Sequence, residues 1–420
     1  MPFSDRVWWH VYPLGFAGTP ITNSAGTPDN ATATPVPAVP GEGLRRITAW
    51  LDYAAELGFT GLLLGPIFDS STHGYDTLDH RAIDPRLGDL DDFLALASAC
   101  RDRDIALMLD GVFNHVGVDH RWVRDALAAG PQGAADAMVA VDWSAGTAQL
   151  RSFEGHDQLV TLNHSSQHVV DEVADIMCLW IDRGAAGWRL DAAYAVPDEF
   201  WARSIGAVHE THPDAWFLGE VIHGDYTGFV ESSGVDTVTQ YELWKSIWSA
   251  LTEHNLFELD WTLTRHGEFC ESFTPATFVG NHDVTRIASR LGVDGAIAAL
   301  WLLMTLPGTP FIYYGDEVGA VGVKEERAGG DDAVRPEYPP TPPAGWAQTV
   351  DAARVLHAHR EAIALRKAHP WLVRGTVTVE KLENERMTYV VRGALTSEAL
   401  RVDVDLAAVP HVTVAAANPA

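Results

Sequence analysis

The chain has 420 residues, 47% of them hydrophobic and 20% charged, with 57 Asp and Glu against 29 Lys and Arg for a formal charge of −28. Such a length and apolar content supply one large core and a smaller appendage, which argues against a disordered chain. The acidic surplus would repel the phosphates of a nucleic acid or an acidic membrane and favours a small neutral substrate.

In chain order, short apolar runs alternate with longer amphipathic ones. The first, "VWWHVYPLGF" (7–16), predicts a strand and has no basic segment leading into a long apolar run, so no signal peptide is expected. No run approaches the ~18 apolar residues of a membrane span, and a cytoplasmic location is the expectation. A Pro-, Thr-, Ala- and Gly-rich loop (17–43) follows, then a helical pattern, "LRRITAWLDYAAELG". Further strands are predicted at 60–68, 105–113, 187–192, 215–222, 236–243, 276–283 and 308–317, with helical patterns between them. Eight such units predict an α/β chain closed into a TIM (β/α)8 barrel. The rival, a doubly wound open sheet, would place a GxGxxG turn after an early strand, and none occurs.

Residues 116–165 are long enough for a short inserted domain after strand 3. After a helix ending before Pro370, three alternating runs ("GTVTVEKLE", "RMTYVVRGA", "ALRVDVDL") predict a small C-terminal β domain. The expected division is therefore a barrel over 1–115 and 166–369, an insertion over 116–165 and a β unit over 370–420. Cys100, Cys178 and Cys270 are odd in number and widely spaced, against a disulfide framework or a structural zinc site. No HExxH, P-loop or GxSxG occurs, and no metal or cofactor is expected.

In a barrel the C-terminal strand ends face one site. Here they carry Asp110, Asn114 and His115 after strand 3, Arg189, Asp191 and Tyr194 after strand 4, Glu220 after strand 5, and Asn281, His282 and Asp283 after strand 7. The loop after strand 2 adds Tyr75 in "HGYDTLDH". Any one of these alone reads as a helix cap, an ion-pair partner or a packed core residue. Four carboxylates from different strands at one end are different, because burying like charges together is costly unless a site uses them. Paired carboxylates point to glycoside hydrolysis. Arg189 lies two residues before Asp191, hence on the same strand face, and should lower its pKa as suits a nucleophile. Glu220 lies in an apolar run without an adjacent cation, which should suit a general acid.

Together the segments "DGVFNH" (110–115), "GWRLDAAY" (187–194), "LGEVIH" (218–223) and "VGNHD" (279–283), with "HGYDTLDHRAIDP" (73–85), resemble the α-amylase family of retaining α-glycosidases, glycoside hydrolase family 13, over nearly the full length. The resemblance implies Asp191 as nucleophile, Glu220 as general acid/base and Asp283 as the transition-state carboxylate. It also implies sugar contacts by Arg189, His115 and His282, stacking by Tyr75 and an ordering role for Asp110. Thr161 and Ala195 stand where calcium-dependent relatives carry an Asp and a His that bind the metal. "GEVIH" and the non-acidic residue before "LN" are similar to the neopullulanase and cyclomaltodextrinase branch, which acts on short or cyclic malto-oligosaccharides. Tyr194 and the loop 17–43 are candidates for shaping the leaving-group side. The activity so implied is hydrolysis of α-glucosidic, mainly α-1,4, bonds by double displacement. The rivals are a transglycosylase using the same residues and a non-catalytic sugar-binding barrel; a homodimer is allowed.

Overall fold

In the computed structural model, residues 1–19, 41–133, 137–327 and 329–417 are described. Eight parallel strands form one sheet: β1 (Trp8–Val11), β2 (Gly61–Leu64), β3 (Ala106–Gly111), β4 (Gly187–Leu190), β5 (Trp216–Gly219), β6 (Thr237–Val238), β7 (Ala276–Phe278) and β8 (Thr309–Tyr313). Consecutive strands pair from β1 to β6, β7 pairs with β8, and β8 returns to β1. A parallel bridge between Thr239 and Ala276, with Gln240 N–H donating to Ala276 O at 2.8 Å, joins β6 to β7 and closes the barrel. Every expected strand is present, but shorter. β1 stops at Val11 because Pro13 opens a helix (Pro13–Ala17), a position where its missing N–H costs nothing. β6 shrinks because the Gln240 side chain caps the next helix, Tyr241–Glu253.

Aromatic rings fill the barrel floor. Trp8 stacks on Phe311 (5.5 Å) and Trp216 (6.1 Å), and Phe3 stacks on Trp216 (5.6 Å). Gly61 makes room, since a Cβ there would lie 2.4 Å from the Trp8 ring. Trp8, Trp9, Trp50, Trp180, Trp188 and Trp201 are all fully buried and belong to the core. The helix Ile287–Thr305 is long and apolar enough by composition to cross a membrane (mean hydropathy 1.5). It is interrupted at Gly292 (φ 67°), and its C-terminal half is buried against the rest of the protein.

The insertion leaves β3 as a strand His115–Gly117, antiparallel to His156–Thr161, which also pairs with Ser152–Phe153. Three imidazoles pin its root to the barrel by donating to main-chain carbonyls: His80 to Val112 (2.9 Å), His115 to Tyr75 (3.0 Å) and His164 to Phe113 (3.0 Å). Burial lowers His80 and His115 from 6.5 to about 4. Because these folded-state values lie below the ordinary one, the unfolded chain binds more protons between pH 6.5 and about 4, and stability falls as pH falls through that window. Urea midpoints should therefore drop steadily from pH 7 to pH 4.5, and replacing His80 with Gln should flatten the slope. A midpoint independent of pH over this range would refute the assignment.

The C-terminal unit is a four-stranded antiparallel sheet of β9 (Thr376–Leu382), β10 (Arg386–Arg392), β11 (Ala399–Asp405) and β12 (His411–Ala416). β12 lies beyond the three expected runs, because "HVTVAA" alternates mainly over small residues. Of the loop 17–43, residues 20–40 lie outside the described residues.

Candidate active site

The parallel register sets Arg189 on β4 level with Asp110 on β3 and Leu218 on β5, so the ends of three strands converge. Arg189 is the centre of the arrangement. Its Nη1 lies 2.7 Å from both carboxylate oxygens of Asp110 and 2.9 Å from Asp191 Oδ1, and its Nη2 lies 2.6 Å from Glu220 Oε1. All four side chains are buried. Directly after Asp191 the chain turns through Ala192 in the left-handed region (φ 45°), and the Ala192 N–H donates to Glu220 Oε2 at 3.0 Å. A non-glycine residue there is strained, and such strain gathers at functional sites. The strained turn ties the two proposed reacting carboxylates to each other.

This geometry corrects two expectations. Glu220 does not lack a cation, because Arg189 reaches it across from the neighbouring strand. Asp191 is not held below the usual carboxylate range either. Burial pushes it well above, and the nearby charges of Glu220, Asp110 and Asp283 add to that, against the pull of Arg189. One guanidinium shared among three carboxylates cannot neutralise them all, and burial likewise raises Asp110. The three carboxylates therefore titrate as a coupled unit rather than as separate groups.

The other half of the site is built on β7 and β8. Arg335 Nη2 lies 3.1 Å from Asp283 Oδ1, and its Nε donates to His282 O at 3.0 Å. His282 Nε2 lies 3.0 Å from Asp283 Oδ2. The pull of His282, including its hydrogen bond, and the charges of Arg335 and Arg189 overcome burial and hold Asp283 well below the usual carboxylate range. Tyr75 joins the halves: its hydroxyl donates to Asp110 Oδ2 (3.1 Å) and makes a short contact with His282 Nε2, and its ring stacks on His282 at 5.4 Å. His115 attaches through Tyr75, with its other nitrogen accepting from Asn114 Nδ2 at 3.0 Å.

Thus Asp110, Arg189, Asp191, Glu220, Tyr75, His282 and Asp283 form one network, with His115 at its edge. Tyr194 stands apart. Its side-chain hydroxyl donates to Glu154 Oε1 (2.8 Å) on the inserted hairpin, and its ring lies 6.4 Å from His223. Sequence reasoning missed Arg335, the second cation, which packs 4.4 Å over the Tyr12 ring. The available signal was a lone Arg in the acidic and Pro-rich stretch "GGDDAVRPEYPPTPP". It also missed Tyr241, whose hydroxyl donates to Glu220 Oε1 at 3.3 Å and accepts from Asn281 Nδ2 at 2.9 Å.

Asn114, Thr161 and Ala195 line one cavity between the insertion and the barrel, of about 380 Å³. Calcium requires six to eight oxygen ligands with carboxylates among them. The carboxylate lining this cavity, Glu154, is turned to Tyr194, and no group of three or more His, Cys, Asp or Glu suited to a metal occurs among the described residues. The donor set does not fit calcium. Activity and Tm should accordingly be unchanged by EDTA; a loss restored by added calcium would contradict this reading.

Fold and site together define a (β/α)8 barrel with a buried carboxylate cluster at the C-terminal mouth of its strands. The chain belongs to the alpha-amylase family: the model of that family, "Alpha amylase, catalytic domain", matches residues 10–338. It is 30% identical over 401 residues to a cyclomaltodextrinase of Geobacillus thermopakistaniensis (strain MAS1), covering 91% of this chain and 65% of the relative. It is 31% identical over 389 residues to neopullulanase 2 of Thermoactinomyces vulgaris, covering 89% and 64%. The chain thus spans just under two thirds of these relatives' length. The solved cyclic alpha-maltosyl-(1→6)-maltose hydrolase from Arthrobacter globiformis, in complex with maltose, superposes with a TM-score of 0.80 at 26% identity, covering 99% of both chains.

Proposed function

We propose that this protein is a retaining α-glycoside hydrolase that cleaves α-glucosidic bonds of short linear or cyclic malto-oligosaccharides. The observation that carries the reading is the single guanidinium of Arg189 clamped between Asp110, Asp191 and Glu220. Carboxylates held on one guanidinium leave little room for a water between them, which favours covalent double displacement over direct attack by water. Asp191 attacks the anomeric carbon while Glu220 protonates the departing glycosidic oxygen. Water then enters, Glu220 takes its proton, and the bond to Asp191 breaks with net retention. Asp283, kept anionic by Arg335 and His282, accepts hydrogen bonds from ring hydroxyls as positive charge develops at the anomeric carbon.

The substrate class is supported by the names of the relatives and by the neighbour of equal length, a hydrolase of cyclic alpha-maltosyl-(1→6)-maltose. A relative named intracellular maltogenic amylase, from Bacillus subtilis (strain 168), supports a cytoplasmic location. The decisive experiment is a product profile on maltose to maltoheptaose, cyclodextrins, cyclic α-maltosyl-(1→6)-maltose, isomaltose and trehalose, with the first-formed anomer read by proton NMR. We expect α-anomeric products from short or cyclic substrates. Inverted products, or no hydrolysis across the panel, would overturn the proposal.

The Tyr194–Glu154 bond bounds the leaving-group side. Tyr194→Phe keeps the ring and loses the bond, and we expect it to shift the ratio of kcat/KM between cyclic and long linear substrates by about tenfold, the scale of one pocket contact, with kcat on maltotriose little changed. An unaltered ratio would remove Tyr194 from the substrate-binding set.

A further inference from the structure

Beside the carboxylate cluster the barrel holds a small space of about 30 Å³, lined by His10, Arg189, Glu220, Asn281 and His282 among others. A water needs roughly 10–15 Å³ of such volume, so there is room for one or two. Two buried ring nitrogens in its lining, His10 Nε2 and His282 Nδ1, have no hydrogen-bond partner. The two imidazoles meet edge to face at 5.1 Å.

The surroundings fix which nitrogen of His282 carries hydrogen. The one hydroxyl proton of Tyr75 goes to Asp110, so Tyr75 can only accept from His282 Nε2. Asp283, held anionic, also faces Nε2 and can only accept. Nε2 therefore bears the hydrogen, and in the neutral ring Nδ1 is a bare lone pair, buried and needing a donor. His10 lines the same space. Burial keeps its imidazole neutral, so it has one N–H to give. Leaving either nitrogen unpaired would cost the full desolvation of a buried polar group.

We infer that a water in this cavity takes a hydrogen bond from His10 Nε2–H and donates one to His282 Nδ1, and that His10 is thereby a positioning residue for the proposed transition-state histidine. The water locks His282 with Nε2–H toward Asp283 and Tyr75. His10 touches no substrate and acts through His282. The catalytic consequence rests on the hydrolase reading above; the hydrogen-bond arrangement does not.

The test compares His10→Leu, which fills the volume without a donor, with His10→Gln, whose amide can donate into the cavity. With 15N-histidine labelling and no sugar present, wild type should show a hydrogen-bonded, pyridine-type Nδ1 for His282. In His10→Leu that signal should move to the position of an unbonded nitrogen, or the tautomer should invert, while His10→Gln retains the wild-type signal. On maltotriose or a cyclodextrin, kcat should fall about tenfold in His10→Leu with KM within about twofold, and recover in His10→Gln, as for loss of orientation without loss of binding. Unchanged His282 signals in His10→Leu, equal losses in both variants, or a dry cavity in a high-resolution structure of the wild type would overturn the inference. If wild type cleaves no glucoside, the hydrolase reading fails, and the imidazole signals alone decide this one. Should His10→Leu not fold, His10→Gln and the wild-type structure decide it.

Discussion

Asp191→Asn should abolish turnover, with kcat falling by roughly 10⁴-fold or more, as removal of a nucleophile that acts in concert with other groups does. The same substitution should leave Tm unchanged or raise it by a few degrees. The two outcomes together are what separates a reacting group from a stabilising ion pair. Asp191 is buried with Asp110 and Glu220 around one guanidinium, and burial and crowding push its carboxyl well above the ordinary range. A carboxyl raised in the folded state works against folding at neutral pH, and that cost is relieved as pH falls toward the folded value. An amide of the same shape removes the charge and the cost at once. If Asp191 served only as a stabilising partner of Arg189, its loss would remove a favourable buried ion pair and lower Tm. A variant with near-normal kcat, or one inactive only because it has unfolded, would refute the assignment. The paired measurement is steady-state kinetics on maltotriose beside a thermal melt at pH 7.

Arg189→Met should have the opposite stability outcome. Arg189 is the only cation within ion-pair distance of Asp110, Asp191 and Glu220 among the described residues. Removing one partner of a buried pair costs about 3–5 kcal/mol, because the other is left uncompensated. Here three carboxylates are stranded, so the urea midpoint should drop sharply. Adding Asp110→Asn should restore part of it, since one stranded charge is then gone. Arg189→Lys should fold better but remain at least about 100-fold slower, because a single ammonium cannot hold carboxylates on two faces as a planar fork does. Wild-type stability in Arg189→Met, or no recovery in the double variant, would show that the cluster is not held by this residue.

Much of the site is legible in the sequence. The four segments around Asp110, Asp191, Glu220 and Asp283 each follow a short apolar strand. Parallel strands bring their C-terminal ends to one face, so residue identity and position in the unit are enough to group them. The order of the barrel follows from the same alternation. Roles argued from flanking residues fare worse. The chain neighbours of Glu220, Leu218 and Val221, suggest an apolar setting, whereas its cation arrives from β4 beside it. The spacing of Asp191 from Arg189 suggests a private ion pair, whereas Glu220 and Asp110 compete for that guanidinium. Arg335 escapes notice because it sits in an irregular loop with no periodic signal, and only the return of β8 beside β7 places it against Asp283.

By itself, then, the sequence determined the number and order of the βα units, the family and most of the residues that meet at the mouth. These depend on local periodicity and on one rule of parallel sheets. Tertiary structure alone decided how charge is distributed: one arginine for three carboxylates, a second for Asp283, and two unpaired imidazole nitrogens on residues that line one small cavity. Coulomb and desolvation energies depend on distances of a few ångströms between groups far apart in the chain. Spacing along a sequence does not encode those distances until the barrel closes.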